Sequence, residues 1–233
     1  MKLNAVNVKD KNPAFMSLIS NNKQLITVDA NFFIPPDRSR ESSSIKPLGY
    51  DRYRDTWIIP LIETFPHIAI HQAVFDEILG SARPLVDSYI NSSPQKLLLL
   101  KDTDLSAKEL ILRDTMERKI AENTRYNPSL DNKDDRGEVK SLAYISTKGL
   151  LYFCSHDAGA LRLIENADEL DTGLQGVGAI KRYEILYYIL RTAKYNSDDI
   201  RILYRYMYYL TPSDKACNPG WGEFINQMDE LLK

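Results

Sequence analysis

The sequence has few of the residues that mark several common functional classes. Its 233 residues include two cysteines, Cys154 and Cys217, and three histidines, in no spacing typical of a disulfide framework or a metal-ligand motif. Its ten glycines form no phosphate-binding loop. A net charge of -2 excludes a strongly basic chain that coats nucleic acid, yet it leaves room for a basic rim beside an acidic site.

Long apolar segments are also absent. No run approaches the roughly 18 residues that a membrane helix needs, and the first ten residues contain no hydrophobic core of a secretory signal. A free cysteine inside an apolar stretch is typical of a reducing compartment. These observations predict a cytoplasmic protein with no membrane segment.

Short apolar runs alternate with segments of helical periodicity along most of the chain. Runs at 25–28, 68–70, 150–154 and 176–180 are predicted strands, whereas 96–100 could be a strand or a turn of helix. This alternation favours an α/β three-layer fold with a mainly parallel central sheet flanked by helices. We expect residues 1–182 to form this domain, and residues 183–233 to form a C-terminal helical extension packed on it.

Four acidic residues occupy matching positions in this pattern. Asp29 and Asp157 directly follow predicted strands, Glu77 lies in the helix after the second strand, and Glu138 opens a later helix. Asp135, three residues before Glu138, falls on the same helix face. Because ligands bind outside the carboxyl ends of parallel strands, these carboxylates are predicted to meet in one crevice.

Clustered carboxylates repel one another by several kcal/mol at near-surface dielectric, and a divalent cation converts that repulsion into coordination. Oxygen ligands suit Mg²⁺ or Mn²⁺, and one or two such ions activate water against a phosphodiester. The residues therefore predict a metal-dependent phosphodiester hydrolase. Taken singly, Asp29 and Asp157 could be helix caps, Glu77 a solvated helix residue, and Asp135 with Arg136 a surface ion pair.

Basic residues lie close to these acids in the sequence. Arg38 and Arg40 belong to a charged loop after Asp29, at 35–54, and Arg136 precedes Glu138. Basic side chains beside a carboxylate site hold phosphates while the acids hold metal. We therefore assign Arg38, Arg40 and Arg136 to substrate binding, with a merely solvated loop as the alternative.

The chain resembles the PIN-domain ribonucleases, a family that includes the toxin nucleases of bacterial toxin–antitoxin pairs. The resemblance spans about residues 25–180 and rests on order and context more than on any single motif. It is carried by four segments: Val28-Asp29-Ala30-Asn31, Val74-Phe75-Asp76-Glu77-Ile78, Gly137-Glu138 followed by Leu142-Ala143-Tyr144, and Phe153-Cys154-Ser155-His156-Asp157.

This resemblance implies an Mg²⁺- or Mn²⁺-dependent endoribonuclease acting on RNA. Its catalytic and metal-binding acids would be Asp29, Glu77, Glu138 and Asp157, with Asp135 as a further metal ligand, and Asn31 and Ser155 would position a ligand or a metal-bound water. An inhibitor (antitoxin) protein and a homodimer stay open as partners. The loop at 35–54 and the helices after 183 are extra relative to compact toxin members.

Two other functions remain alternatives. One is a catalytically inactive PIN-like module that binds RNA or a partner protein. The other is a haloacid-dehalogenase-like phosphatase, which also begins with a strand and an aspartate. Those phosphatases need a second aspartate two residues later, and this chain has Asn31 at that position.

Overall fold

A five-stranded sheet, parallel at every pairing, forms the centre of the protein. The computed structural model describes residues 5–39, 41, 45–192 and 195–233. The predicted α/β class with a parallel sheet is confirmed, and the undecided segment at 96–100 contains a strand. The strands are β1 (Ile26–Val28), β2 (Ile68–His71), β3 (Leu98–Leu100), β4 (Tyr152–Ser155) and β5 (Gly178–Lys181), in the order β3-β2-β1-β4-β5.

Helices surround this sheet. Within the described ranges, none is long and apolar enough to cross a membrane. The α-helices are α1 (Pro13–Ser20), α2 (Tyr50–Tyr53), α3 (Ile59–Thr64), α4 (Gln72–Glu77), α5 (Arg83–Ile90), α6 (Ala107–Ala121), α7 (Arg136–Lys148), α8 (Ala158–Glu165), α9 (Arg182–Thr192), α10 (Ser197–Tyr208), α11 (Pro212–Cys217) and α12 (Trp221–Leu231).

Side chains of the strands alternate between two helical layers. Val28 and Cys154 pack into a buried cluster that includes residues of α1, α9 and α10. Phe153 and Ala179 point the other way, into a cluster with residues of α6, α7 and α8. Because both faces are covered, the strands are mostly apolar, as expected of a parallel sheet between helical layers.

Residues 54–65 have the apolar spacing of a helix, and in the structure this helix begins earlier and contains an irregular turn. Helices α2 and α3 are joined by a π-helical turn, Arg54–Ile58, so the helical segment runs from Tyr50 to Thr64. Pro60 explains the irregularity, because proline donates no N–H and its ring excludes the carbonyl four residues earlier. A π turn before the proline widens the helix at that point. The predicted loop at 35–54 consequently ends at residue 49.

The C-terminal helices share the main core. Residues of α9, α10 and α12 belong to the same buried cluster as Ile26 and Ile68 of the sheet. Tyr204 of α10 stacks on Phe224 of α12, with ring centroids 4.5 Å apart. The predicted boundary at residue 182 falls at the start of α9, directly after the last strand.

The strand order creates a crevice between β1 and β4. From β1 the chain adds β2 and β3 on one side, and it then crosses back to add β4 and β5 on the other. The segments that follow β1 and β4 therefore diverge and leave space at the carboxyl edge of the sheet. Ligands of open α/β sheets bind at such switch points.

Candidate functional site

A cavity of about 1250 Å³ opens at this edge of the sheet. Acidic side chains reach it from separate parts of the chain: the ends of β1 and β4, the end of α4 and the first turn of α7. The parallel sheet thus brings together carboxylates that are far apart in sequence. Seven of the predicted site residues line the cavity: Asp29, Asn31, Arg38, Glu77, Asp135, Glu138 and Asp157.

Asp29 is the most enclosed of these acids, with 5% of its surface exposed. It caps the 3₁₀ turn Ala30–Phe32, and its Oδ1 accepts the Ala30 N–H at 2.7 Å. Its Oδ2 accepts hydrogen bonds from the Ser155 hydroxyl, at 2.9 Å, and from the Asn31 amide. Burial raises the pKa of Asp29 to about 6, although these hydrogen bonds oppose the rise.

Ser155 and Asn31 orient the acids around them. Ser155 is fully buried, and its Oγ also accepts the Asp157 N–H at 3.0 Å, so one hydroxyl links Asp29 to Asp157. The Asn31 amide nitrogen donates to Ser155 Oγ at 3.1 Å, whereas Asn31 Oδ1 is buried and has no hydrogen-bond partner among the described residues. Ser155 therefore positions carboxylates and does not face the cavity, while Asn31 offers an unused acceptor.

Asp157 is both a helix cap and a cavity residue. It is the N-cap of α8, and its Oδ1 accepts the Gly159 N–H at 2.7 Å. Asp29 likewise caps the turn after its strand. The capping interpretation raised by the sequence is therefore correct for both aspartates, and both nevertheless line the cavity.

Glu77 and Glu138 approach the cavity from the helical side. Glu77 Oε1 accepts the Gly137 N–H at 2.9 Å, at the start of α7. Glu77 is exposed as a residue, but partial burial of its carboxyl and the nearby Asp29 raise its pKa to about 7. Burial and the surrounding acids, Asp29 first among them, raise the pKa of Glu138 to about 9. After burial, repulsion from neighbouring acids contributes to the raised pKa of Asp29, Glu77 and Glu138.

Asp135 differs from the other acids because a basic partner already holds it. Its carboxylate accepts hydrogen bonds from the Arg125 backbone at 2.9 Å and from the Arg125 guanidinium at 3.0 Å. These bonds hold the pKa of Asp135 below its usual value. Its backbone is left-handed, with φ of 56°, a conformation that aspartate tolerates better than most residues. Through these bonds to Arg125, Asp135 holds the segment before α7 in place at the wall of the cavity.

The predicted substrate-binding arginines lie in different environments. Arg38 is 2% exposed, and its donors bind Glu41, Asp214 and the carbonyls of Tyr206 and Met207, which leaves none for phosphate. It fastens the loop after β1 to the C-terminal helices. Arg40 lies outside the described residues.

Arg136 is likewise occupied by neighbouring acids. Its Nε donates to Asp131 at 2.9 Å, and its Nη1 lies 3.9 Å from Asp76. It is not among the residues that line the cavity. Its charge lowers the pKa of Glu77, but less than burial and Asp29 raise it.

Four basic residues missed among the predicted site residues border the cavity: Arg125, Lys133, Arg162 and Arg182. Arg182 directly follows β5 and is 1% exposed. Its guanidinium donates to the Asn31 carbonyl and to the Tyr53 hydroxyl. The position of Arg182 is equivalent to that of Asp157, because both residues follow a strand at the carboxyl edge of the sheet. Arg182 was therefore predictable from the sequence in the same way.

The donor chemistry of the cavity fits a hard divalent cation. All its acids are oxygen donors, and Asn31 Oδ1 is a buried acceptor without a described partner. In the described part of the chain, however, no three His, Cys, Asp or Glu side chains form a preassembled metal site. The hydrogen bonds of the acids give a physical reason. Backbone N–H groups bind one oxygen each of Asp29, Glu77 and Asp157, so these three oxygens are directed toward the backbone and not toward a common point in the cavity.

Comparisons with protein-family models, curated proteins and solved structures give no match to this chain. The resemblance to PIN-domain ribonucleases therefore rests on the residues of this sequence alone.

Proposed function

We propose that this protein is a metal-dependent endoribonuclease of the PIN type. The observation that carries the proposal is the convergence of Asp29, Glu77, Glu138 and Asp157 on one cavity at the switch point of a parallel sheet. Four ionised acids from four chain segments repel one another, and a bound cation would relieve that repulsion. The cavity also exceeds the roughly 300–1,000 Å³ of small-molecule sites, which favours a polymeric substrate.

The four acids would hold Mg²⁺ or Mn²⁺, and the ion would activate water and stabilise the leaving oxygen of the phosphodiester. Asn31 would help to hold Asp29 and Ser155 in place through its amide nitrogen. Ser155 would keep Asp29 and Asp157 in their relative orientation through its single hydroxyl. The basic residues at the cavity border would offset the phosphate charge.

Two observations bear on the alternative functions. Asn31 donates its amide to Asp29 and Ser155 and has no ionisable proton, which argues against the general acid that a dehalogenase-like phosphatase needs. The lack of a preassembled metal group among the described residues favours the inactive RNA-binding module as the second candidate. Turnover therefore has to be measured directly.

The test is cleavage of a labelled single-stranded RNA by the purified chain with Mn²⁺, with Mg²⁺, and with excess chelator. We expect cleavage with either metal, none with chelator, and none in Asp157→Asn with metal present. The matched control is Asp76→Asn, an exposed acid next to Glu77 that does not line the cavity.

Cleavage that persists in both chelator and Asp157→Asn would exclude the metal mechanism. RNA binding without cleavage under every condition would instead support the inactive module. Hydrolysis of a small phosphomonoester with retention of phosphate on Asp29 would support the phosphatase.

A further inference from the structure

One wall of the cavity is apolar, in contrast to its acidic floor. Ile34 and Pro35 line it, five and six residues after Asp29, and Pro36 follows. Ile34 is 37% exposed, although its backbone N–H is fixed by the Ala30 carbonyl at 3.1 Å. Proline restricts the backbone after Ile34, so the side chain projects from a rigid segment. A fixed apolar surface is thus exposed beside carboxylates.

Basic residues without an acidic partner occupy other parts of the same cavity. Lys133 and Arg162 are exposed, and neither forms an ion pair with any described residue. Arg162 makes one long hydrogen bond, 3.4 Å, to the Asn123 carbonyl. Arg125, by contrast, is paired with Asp135. Two uncommitted positive charges and an apolar wall therefore border one acidic floor.

The basic residues and the apolar wall match the chemical groups of an unpaired nucleotide and its neighbouring phosphates. Phosphates carry negative charge and suit Lys133 and Arg162. The face of a base is largely apolar and would bury surface against Ile34 and Pro35. A base inside a duplex is stacked and paired, so it presents no free face to such a wall. The arrangement would therefore distinguish single-stranded from duplex RNA, but it would not distinguish one base from another.

We propose that Ile34 and Pro35 form a subsite for one unstacked base of a single-stranded RNA, whose adjoining phosphates are bound by Lys133 and Arg162. The inference rests on the proposed function for its substrate class, but it concerns binding and not hydrolysis. It makes the apolar wall the reason that the enzyme acts on single strands. It also replaces Arg38 and Arg136 with Lys133 and Arg162 as the phosphate-binding residues.

The test measures binding in excess chelator, where no metal-dependent cleavage occurs. The probes are a labelled single-stranded oligouridine, a sugar–phosphate oligomer of equal length without bases, and a duplex. We expect Ile34→Ala to weaken oligouridine binding about four- to tenfold, as expected for the loss of buried CH₂ groups. Binding of the base-free oligomer should be unchanged by Ile34→Ala, and the duplex should compete poorly.

The matched control for Ile34→Ala is Ile202→Ala, because Ile202 is an isoleucine with the same 37% exposure on α10 and lies outside the cavity. Lys133→Gln and Arg162→Gln should each reduce the slope of log K against log salt by about 0.7, the value for one phosphate contact on a single strand. Lys108→Gln and Arg118→Gln, at exposed positions of α6 away from the cavity, should leave the slope unchanged.

Three outcomes separate this inference from the proposed function. If the wild-type chain cleaves RNA but Ile34→Ala binds like the wild type, the subsite is wrong and the nuclease stands. If the chain binds oligouridine and the substitutions have the expected effects, but RNA is never cleaved, the subsite is supported and the proposed nuclease activity is wrong. Equal affinity for oligouridine and the base-free oligomer in the wild type would overturn the subsite outright.

Discussion

Glu77 lies directly over the backbone of Gly137. Its Oε1 accepts the Gly137 N–H at 2.9 Å, and a Cβ atom on Gly137 would lie 2.3 Å from that oxygen. The carboxylate therefore sits at the N-terminal end of α7, where unpaired N–H groups favour negative charge. Any side chain at position 137 would push Glu77 away from this place.

We expect Gly137→Ala to weaken Mn²⁺ binding and RNA cleavage about 10- to 100-fold, the range for loss of a supporting contact at a metal site. The substitution should not lower the thermal stability through helix propensity, because alanine is favoured over glycine in helices by about 1 kcal/mol. Calorimetric titration with Mn²⁺ and thermal melts of the same samples measure both effects.

Gly222→Ala is the control for this substitution. Gly222 is likewise the second residue of a helix, α12, and an added Cβ there meets no atom within 4 Å. It should raise the melting temperature slightly and leave metal binding and cleavage unchanged. Equal metal affinity in the wild type and Gly137→Ala would show that the position of Glu77 is irrelevant to the ion.

Asp29→Asn and Asp157→Asn should both abolish cleavage but differ in stability. Donors face both oxygens of Asp29, from Ala30 on one side and from Ser155 and Asn31 on the other, so an amide nitrogen meets a donor in either orientation. An unsatisfied donor costs about 1–3 kcal/mol, which offsets the relief of charge repulsion. Asparagine in place of Asp157 keeps an oxygen for Gly159 and caps a helix as well as aspartate.

Melts of the two variants in chelator should therefore rank Asp157→Asn at or above the wild type, and Asp29→Asn below Asp157→Asn. The reverse order would mean that the hydrogen bonds around Asp29 contribute less than the electrostatic repulsion. Asp157→Asn is for this reason the cleaner probe of catalysis.

Arg38→Lys should destabilise the protein without changing how RNA binding depends on salt. Lysine keeps the charge, but it cannot reproduce the bonds of the guanidinium to Asp214, Glu41 and two carbonyls. We expect a loss of about 2 kcal/mol, or roughly 4–8 °C in melting temperature for a chain of this size. An unchanged melting temperature in this variant would show that the bonds of the guanidinium contribute little to stability.

The stability of the chelator-treated protein should depend on pH through Glu184. Burial raises the pKa of Glu184 from 4.5 to about 7, against opposing contacts from Lys181 and Asn12. Between these values the folded protein keeps a proton that the unfolded chain has released, so the free energy of unfolding falls as pH rises across the window. The change is on the order of 3 kcal/mol and levels off above the folded pKa.

Glu184→Gln removes this titration. Other acids with raised pKa contribute in the same direction, so the measured quantity is the difference in unfolding free energy between the wild type and Glu184→Gln. We expect the wild type to lose stability relative to the variant from about pH 4.5 to 7. A difference that stays constant across that range would show that Glu184 titrates normally.

The sheet and the acids were predictable because they follow strong local patterns. Four strands are continuous apolar runs, and parallel strands end at one edge of a sheet, so the sequence alone predicts that Asp29 and Asp157 lie together. Helix α8 was missed although Asp157 is a typical N-cap, because its eight residues are too few for a clear periodicity. The same limit applies to α5, which also has eight residues.

The partners of the basic residues could not be predicted. Arg38 looks like a solvated loop residue, yet it is buried by α10 and α11, which lie far along the sequence. Asp135 appeared equivalent to Glu138 by spacing, but Arg125 reaches it across a loop. Pairing between distant segments depends on tertiary packing, and neither periodicity nor charge pattern encodes it.

The order of the strands also determines when the cavity can form during synthesis of the chain. Asp29 and Ser155, which hydrogen-bond to each other, are 126 residues apart along the chain. A nascent chain that has emerged from the ribosome only up to the end of β3 still lacks Glu138, Ser155 and Asp157. Contacts at such sequence distance form late in folding. The cavity is therefore completed only when β4 pairs with β1, which brings Ser155 and Asp157 next to Asp29.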